Sequence, residues 1–222
     1  MSVSRQWLII FCCLPVWTWA TEPNARAVTV CPPVGDNPDP VIDVRLTQHI
    51  PLYEEDSSKT RAEIEQLTGK PDSEGAFSAR GVKFLIRGDA TARTTRSSFC
   101  VWVTKIDADI TVTSLTIYAA EEYPKGSCRY DEIMDHEHEH YRTFTWLLGI
   151  YTQRLRSGIE QLDLPTSAQP WSVSTVEEGK QRIQSLFDGV ARSENDRFWR
   201  EYNRRTDEFH ERESHRQTRC RQ

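Results

Sequence analysis

Residues 135–141 read Asp-His-Glu-His-Glu-His-Tyr and contain the pattern H-E-x-x-H, formed by His136, Glu137 and His140. In an α-helix, residues i and i+4 lie one turn apart on the same face, so the two imidazoles can bind one ion. Zn²⁺ takes nitrogen ligands at about 2.0–2.1 Å, and a catalytic zinc site keeps one position open for water. Glu137 can remove a proton from that water as a general base. The pattern therefore predicts a zinc-binding helix with a hydrolytic centre.

The histidine between the two predicted ligands, His138, lies about 200° around the helix from His136 and cannot join the same pair. Two other interpretations remain open at this stage. The segment can be a charged, solvated helix face, or a loose cluster of several histidines that scavenges zinc or copper. Apolar residues on both sides favour a specific site on a packed helix; they are Ile133, Met134, Phe144, Leu147 and Leu148.

The first twenty residues have the layout of a secretory signal peptide. Arg5 precedes an apolar run at 7–14, and Thr18-Trp19-Ala20 places small residues at the −3 and −1 positions of a cleavage site. The apolar run is well short of the ~20 residues that span a bilayer, so no stable membrane insertion is expected after cleavage. The sequence predicts a signal peptide at 1–20 and a secreted or periplasmic protein.

After cleavage the chain is expected to contain an extended N-terminal arm at 21–40 and one domain at 41–222. The net charge of the whole sequence is −5, and loss of Arg5 makes it more negative by one unit. This balance argues against nucleic acid as a partner.

Alternating apolar residues predict strands near 42–47, 82–86, 99–106 and 109–118, the last with a bulge at 113–114. A short helix is predicted through 60–67, with Ser57 or Ser58 as its N-cap. We expect an α+β fold in which an antiparallel sheet packs against the H-E-x-x-H helix and a second, C-terminal helical region.

The H-E-x-x-H helix is predicted to run from Cys128, after an N-cap at Ser127, to near Leu162. A capping-box sequence at 174–177 opens the C-terminal helical region, with an expected break at 189–195.

Four cysteines follow the signal peptide, an even number that predicts disulfides in an oxidising compartment; they are Cys31, Cys100, Cys128 and Cys220. None has C-x-x-C spacing, which argues against a cysteine zinc site. Three pairings are possible. We favour Cys128–Cys220 with Cys31–Cys100, because two antiparallel helical regions would bring Cys128 and Cys220 together.

The segment 127–141, Ser-Cys-Arg-Tyr-Asp-Glu-Ile-Met-Asp-His-Glu-His-Glu-His-Tyr, entered from the predicted strand 115–118, resembles the predicted secreted zinc-dependent metallopeptidases of bacterial envelopes. This family is a domain of unknown function in the broader zincin group. The resemblance spans roughly 42–220 and is sharpest at 99–141. It implies a zinc-binding helix packed under a sheet whose edge strand can align a peptide.

Carried over by motif position, the resemblance makes His136 and His140 zinc ligands and Glu137 the general base. It also points to Glu208 as the third ligand, because Thr206-Asp-Glu208 resembles a late segment of the family in which a ligand follows a threonine by two positions. His210 is the alternative third ligand.

The function expected from these features is hydrolysis of peptide bonds in a peptide or protein substrate by a secreted zinc metallopeptidase. Such a hydrolase also needs a donor for the developing oxyanion, and Tyr123, Tyr141 and Tyr202 are the candidates. The alternative is a non-catalytic secreted protein of the cell envelope that binds zinc or another ligand.

Overall fold

The structure, a computed structural model, describes residues 30–34, 42–214 and 220. The predicted signal peptide at 1–20 and most of the predicted arm at 21–40 lie outside this part of the chain. In chain order the elements are β1 (Asp43–His49), β2 (Glu54–Asp56), α1 (Arg61–Thr68), β3 (Gly75–Arg80), β4 (Lys83–Thr94), β5 (Phe99–Thr111), β6 (Ser114–Ala119), α2 (Cys128–Glu160), β7 (Trp171–Val173) and α3 (Val176–Ser214).

The strands form two small sheets, and the α+β class is confirmed. In the first sheet β5 lies between β1 and β4 and also pairs with β7, and in the second β6 lies between β2 and β3. Each sheet is mixed rather than wholly antiparallel, because β1 runs parallel to β5 and β2 runs parallel to β6. Apolar alternation shows which residues face the core but not the direction of the neighbouring strand. It could not reveal these two parallel pairs.

The predicted strand at 109–118 is two strands, which lie in different sheets. The chain leaves the first sheet after Thr111 and enters the second at Ser114. Between them, Val112 donates its N–H to the carbonyl of His49 at 2.9 Å, and Thr113 donates to that of Arg80 at 2.9 Å. The change in apolar register at 113–114 therefore marks the passage between sheets, and the expected bulge is wrong.

The short helix α1 begins after Thr60, not after Ser57 or Ser58. The Thr60 N–H donates to the Glu63 carboxylate at 2.8 Å, and the Glu63 N–H donates to the Thr60 hydroxyl at 3.3 Å, which is a capping box. Ser58 instead donates its hydroxyl to Asp56 at 2.6 Å.

The bounds of α2 agree with the prediction, and its N-cap is Ser127, whose hydroxyl accepts the N–H of Tyr130 at 3.2 Å. The predicted break in α3 is wrong, since this helix is continuous from Val176 to Ser214. Phe187 and Phe198 lie on either side of the expected break and are both fully buried. Burial of these two side chains stabilises one continuous helix by more than the cost of about 1 kcal/mol for a glycine in its interior.

Both long helices pack on the first sheet. In addition, α2 packs on the second sheet through its contacts with β3 and β6. The main core contains the largest fully buried side chains of these elements, among them Ile106, Ile110, Phe144, Phe187 and Phe198. A smaller cluster joins the first turns of α2 to β6 through Ile133, Met134, Ile117 and Ala119. The H-E-x-x-H segment therefore lies where α2 passes between the second sheet and α3.

Two disulfides lie within the described ranges, Cys31–Cys100 and Cys128–Cys220, with Cα atoms 5.6 and 5.8 Å apart. This is the favoured pairing of the three. Cys128 is the first residue of α2 and Cys220 follows the end of α3, so the disulfide fixes the antiparallel arrangement of the two helices. The last turns of α3 consequently lie beside the first half of α2. None of the helices in the described ranges has the length and apolar character needed to cross a membrane.

Candidate metal site

Three histidines converge where the last turns of α3 meet α2. His136 and His140 lie one turn apart on α2, and His210 faces them from α3. The Nε2 atom of His140 is 3.2 Å from that of His136 and 3.1 Å from that of His210. One nitrogen from each ring lies within 4.8 Å of the others, so the group could hold a metal ion.

Three imidazole nitrogens suit Zn²⁺ and similar transition-metal ions. Burial is the main cause that lowers the pKa of all three imidazoles. The pKa of His140, which is only 7% exposed, is lowered to about 3. Neutral imidazoles bind a metal without first losing a proton. Three histidines with a fourth position left for water are also a known ligand set of catalytic zinc.

The ring of His136 is oriented by its surroundings. Its Nδ1 atom lies 3.5 Å from a carboxylate oxygen of Glu213, which leaves Nε2 directed at the other two histidines. The ring also stacks on His210, with the planes 3° apart, and Phe209 packs against it at 4.8 Å between centroids. A carboxylate on the outer nitrogen of a ligand histidine fixes the tautomer that a metal needs.

The structure does not bring Glu208, the predicted third ligand, into this group. The Glu208 carboxylate pairs with Arg204 on the same helix, and its side chain is 52% exposed. Residues 208 and 210 point about 200° apart on a helix, so only one of them can face α2. His210, the alternative, is the one that does.

His138 lies outside this group, as its position about 200° around the helix from His136 predicts. Its Nε2 atom lies 3.0 Å from the hydroxyl of Tyr53. This arrangement is against a loose cluster that uses every histidine of the segment.

Glu137 lies beside the three histidines and is only 6% exposed. Burial raises the pKa of its carboxyl to about 8, against the opposing influence of the Phe77 backbone N–H, which donates to the carboxylate. Phe77 belongs to β3, an edge strand of the second sheet. Sequence reasoning missed this donor, because nothing local in the sequence shows which strand will lie across α2.

The close approach of β3 to α2 depends on Gly75. A Cβ atom at this position would lie 2.5 Å from Cγ2 of Ile133 and 3.0 Å from Oε1 of Glu137. Glycine therefore allows the strand to reach the buried carboxylate. Gly75 and the whole of β3 lie outside the strands predicted from the sequence.

A cleft of about 1050 Å³ opens onto these groups between β3, α2 and α3. Its walls include Gly75, Phe77, His136, Glu137, His140 and His210. This volume is comparable with the upper end of the range for ligand-binding clefts, about 1000 Å³.

Of the three tyrosines considered as oxyanion donors, Tyr202 lines the cleft. Burial, with a contribution from the nearby Glu137, raises the pKa of its hydroxyl to about 12, so the group keeps its proton at neutral pH. The Tyr123 hydroxyl donates to Glu74 at 2.6 Å, and the Tyr141 ring packs at 4.8 Å from that of Tyr53. Neither of these two lines the cleft.

The arrangement thus combines three neutral nitrogen donors, a buried carboxyl and a protonated phenol in one cleft. Comparison of the chain with protein-family models, with curated proteins and with solved structures found no match.

Proposed function

We propose that this protein is a secreted, zinc-dependent metallopeptidase of the cell envelope, with a peptide or protein as its substrate. The observation that carries the proposal is the position of Glu137. Its carboxyl is buried in the same cleft as three converging, neutral histidines. A metal site with a purely structural role has no need of a buried proton acceptor beside it.

The residues that would hold zinc are His136, His140 and His210. A zinc ion bound there would lower the pKa of its water towards about 7 and polarise a peptide carbonyl. The histidines are oriented for this task by the contact of His136 with Glu213 and by the packing of Phe209.

Glu137 serves as the proton carrier of the hydrolysis. Its carboxylate accepts a proton as the water oxygen bonds to the peptide carbon, and it delivers that proton to the amine nitrogen as the C–N bond breaks. The Phe77 N–H holds the carboxylate in place through both transfers. Burial raises the pKa of this carboxyl, and the positive charge of a bound zinc ion would lower it and favour the carboxylate form that accepts the first proton.

Tyr202 is the donor for the developing oxyanion. Its hydroxyl remains protonated across the neutral range and lies in the cleft close enough to Glu137 for the two groups to interact. A preorganised donor in a partly dry site stabilises negative charge far better than it does in water.

The test compares Glu137→Gln with Glu139→Gln in zinc-loaded protein, using cleavage of a broad peptide library. Glutamine keeps an oxygen for the Phe77 N–H but cannot accept the proton. We expect Glu137→Gln to retain zinc and lose cleavage by about 10²-fold or more. Glu139 pairs with the exposed Arg142 at 2.6 Å, so its variant should cleave normally.

Normal turnover by Glu137→Gln would refute the proposed mechanism. Full zinc content without cleavage of any library peptide would instead favour the non-catalytic zinc-binding or ligand-binding protein.

A further inference from the structure

A lysine stands at the wall of the cleft and is not used by the proposed chemistry. Lys70 follows Gly69, which ends α1 in the left-handed conformation with φ 67°. The loop that contains Lys70 leads into β3, the strand whose Phe77 N–H holds Glu137. Lys70 itself is one of the residues that line the cleft.

The backbone of this loop is well anchored. The Lys70 N–H donates to the Thr68 hydroxyl at 3.2 Å, and the Lys70 carbonyl accepts from the Ser73 hydroxyl at 3.1 Å. Two residues after Lys70, the Asp72 N–H donates to the Glu65 carboxylate at 3.0 Å. These bonds fix the point from which the lysine side chain extends.

The ammonium group itself is exposed and makes no hydrogen bond or ion pair within the described ranges. Two of the three arginines that line the cleft are neutralised by acidic neighbours, and the third is Arg212 near the end of α3. Arg129 pairs with Glu74 and with Glu132, and Arg142 pairs with Glu139.

Lys70 lines the same cleft as the candidate metal site, whose His136, Glu137, His140 and His210 also face this space. An ammonium group without an acidic partner attracts a negatively charged group, and the attraction is stronger where a bound ligand excludes water. A carboxylate of a substrate bound in the cleft can supply that negative charge.

We propose that Lys70 selects substrates that carry a carboxylate next to the scissile bond, and that it binds this carboxylate through a charge-assisted hydrogen bond. The inference rests on the proposed peptidase function and defines its substrate class. The carboxylate can be the free C-terminus of a peptide or the side chain of an aspartate or glutamate, which offer the same chemistry to an ammonium group.

The experiment measures binding, so that it does not depend on turnover. The probes are short peptide hydroxamates, whose hydroxamate group binds zinc. One carries a free C-terminal carboxylate and its partner a C-terminal carboxamide. In a second pair both peptides end in a carboxamide, and one has glutamate where the other has glutamine.

Dissociation constants are measured by titration calorimetry for zinc-loaded wild type, Lys70→Met, Lys70→Arg and Lys83→Met. Lys83 lies on β4 outside the cleft and is the matched control.

We expect wild type and Lys83→Met to bind one carboxylate probe about tenfold or more tightly than its neutral partner. Lys70→Met should lose this preference and keep the affinity for the neutral probe, whereas Lys70→Arg should retain it. The preference should also weaken at high salt, because Lys70 is exposed. The pair that shows the preference identifies the source of the carboxylate.

No preference in wild type, or a preference that survives in Lys70→Met, would overturn the proposal. The proposal would also be overturned if none of the four probes binds to protein that contains zinc. If only the peptidase proposal fails, the protein will still prefer the carboxylate probe but will cleave no peptide.

Discussion

The Nε2 atoms of His140 and His210 lie 3.1 Å apart, although 70 positions separate these residues in the sequence. Their proximity results from the antiparallel packing of α2 and α3, whose adjoining ends are connected by the Cys128–Cys220 disulfide. The metal site is thus a tertiary feature that neither helix contains alone. Metal affinity should therefore depend on how firmly the end of α3 is held.

The disulfide next to the metal site offers a direct test of this dependence. Replacing both Cys128 and Cys220 by serine removes the crosslink of a long loop, which should lower the free energy of unfolding by about 2–4 kcal/mol. The same variant should bind zinc more weakly, because the helix that carries His210 is less constrained. Thermal unfolding and zinc titration measure the two effects.

The control for this variant is the double replacement of Cys31 and Cys100 by serine. That disulfide joins the N-terminal segment to β5 and lies outside the group of three histidines. It should lower stability and leave zinc affinity unchanged. Equal losses of zinc affinity in the two double variants would contradict the role given to Cys128–Cys220.

A second prediction concerns the close contact between β3 and α2. Gly75→Ala introduces a methyl group 2.5 Å from Ile133 and 3.0 Å from the Glu137 carboxylate. We expect a loss of roughly 1–3 kcal/mol in stability and a larger loss of peptide cleavage, since the proton carrier is displaced. Denaturant unfolding and steady-state kinetics are the measurements.

Gly149→Ala is the matched control, because this exposed glycine of α2 has nothing within 4 Å of the added Cβ atom. It should stabilise the protein by roughly 0.5–1 kcal/mol and leave cleavage intact. A Gly75→Ala protein that is as stable and as active as wild type would show that the close approach of β3 is not needed.

The third prediction distinguishes Tyr202 from the other tyrosines. Tyr202→Phe removes the hydroxyl from the cleft and keeps the ring that packs on Phe144 and Phe198. It should retain zinc and the fold and lower kcat by about 100-fold, with little change in KM. In Tyr141→Phe, which alters a hydroxyl outside the cleft, kcat should be unchanged. Equal kcat values in the two variants would remove Tyr202 from the mechanism.

Local patterns in the sequence were sufficient to predict α2 and the two histidines that it contributes to the site, His136 and His140. The N-cap at Ser127, the spacing of His136 and His140 and the apolar residues around them all act within a few turns of one helix. The Cys128–Cys220 pairing also followed, since it needs only two antiparallel helices.

Features that depend on contacts between distant segments were harder to predict. The choice between Glu208 and His210 depends on how the end of α3 is rotated against α2. The apolar residue between them, Phe209, lies about 100° around the helix from each, so the sequence pattern does not choose between the two. In the same way, the register change at 113–114 has two explanations, a bulge or a passage between sheets. Only the pairing of β6 with β2 and β3 decides between them.

The most direct test of the account is the zinc content of purified mature protein, measured by mass spectrometry of the metal in wild type and four alanine variants. We expect one zinc ion per chain in wild type, Glu208→Ala and His138→Ala. His140→Ala and His210→Ala should lose most of the metal, because each removes one of three converging nitrogens. Loss of zinc in Glu208→Ala with full zinc in His210→Ala would contradict the three-histidine site, as would equal losses from His138→Ala and His140→Ala.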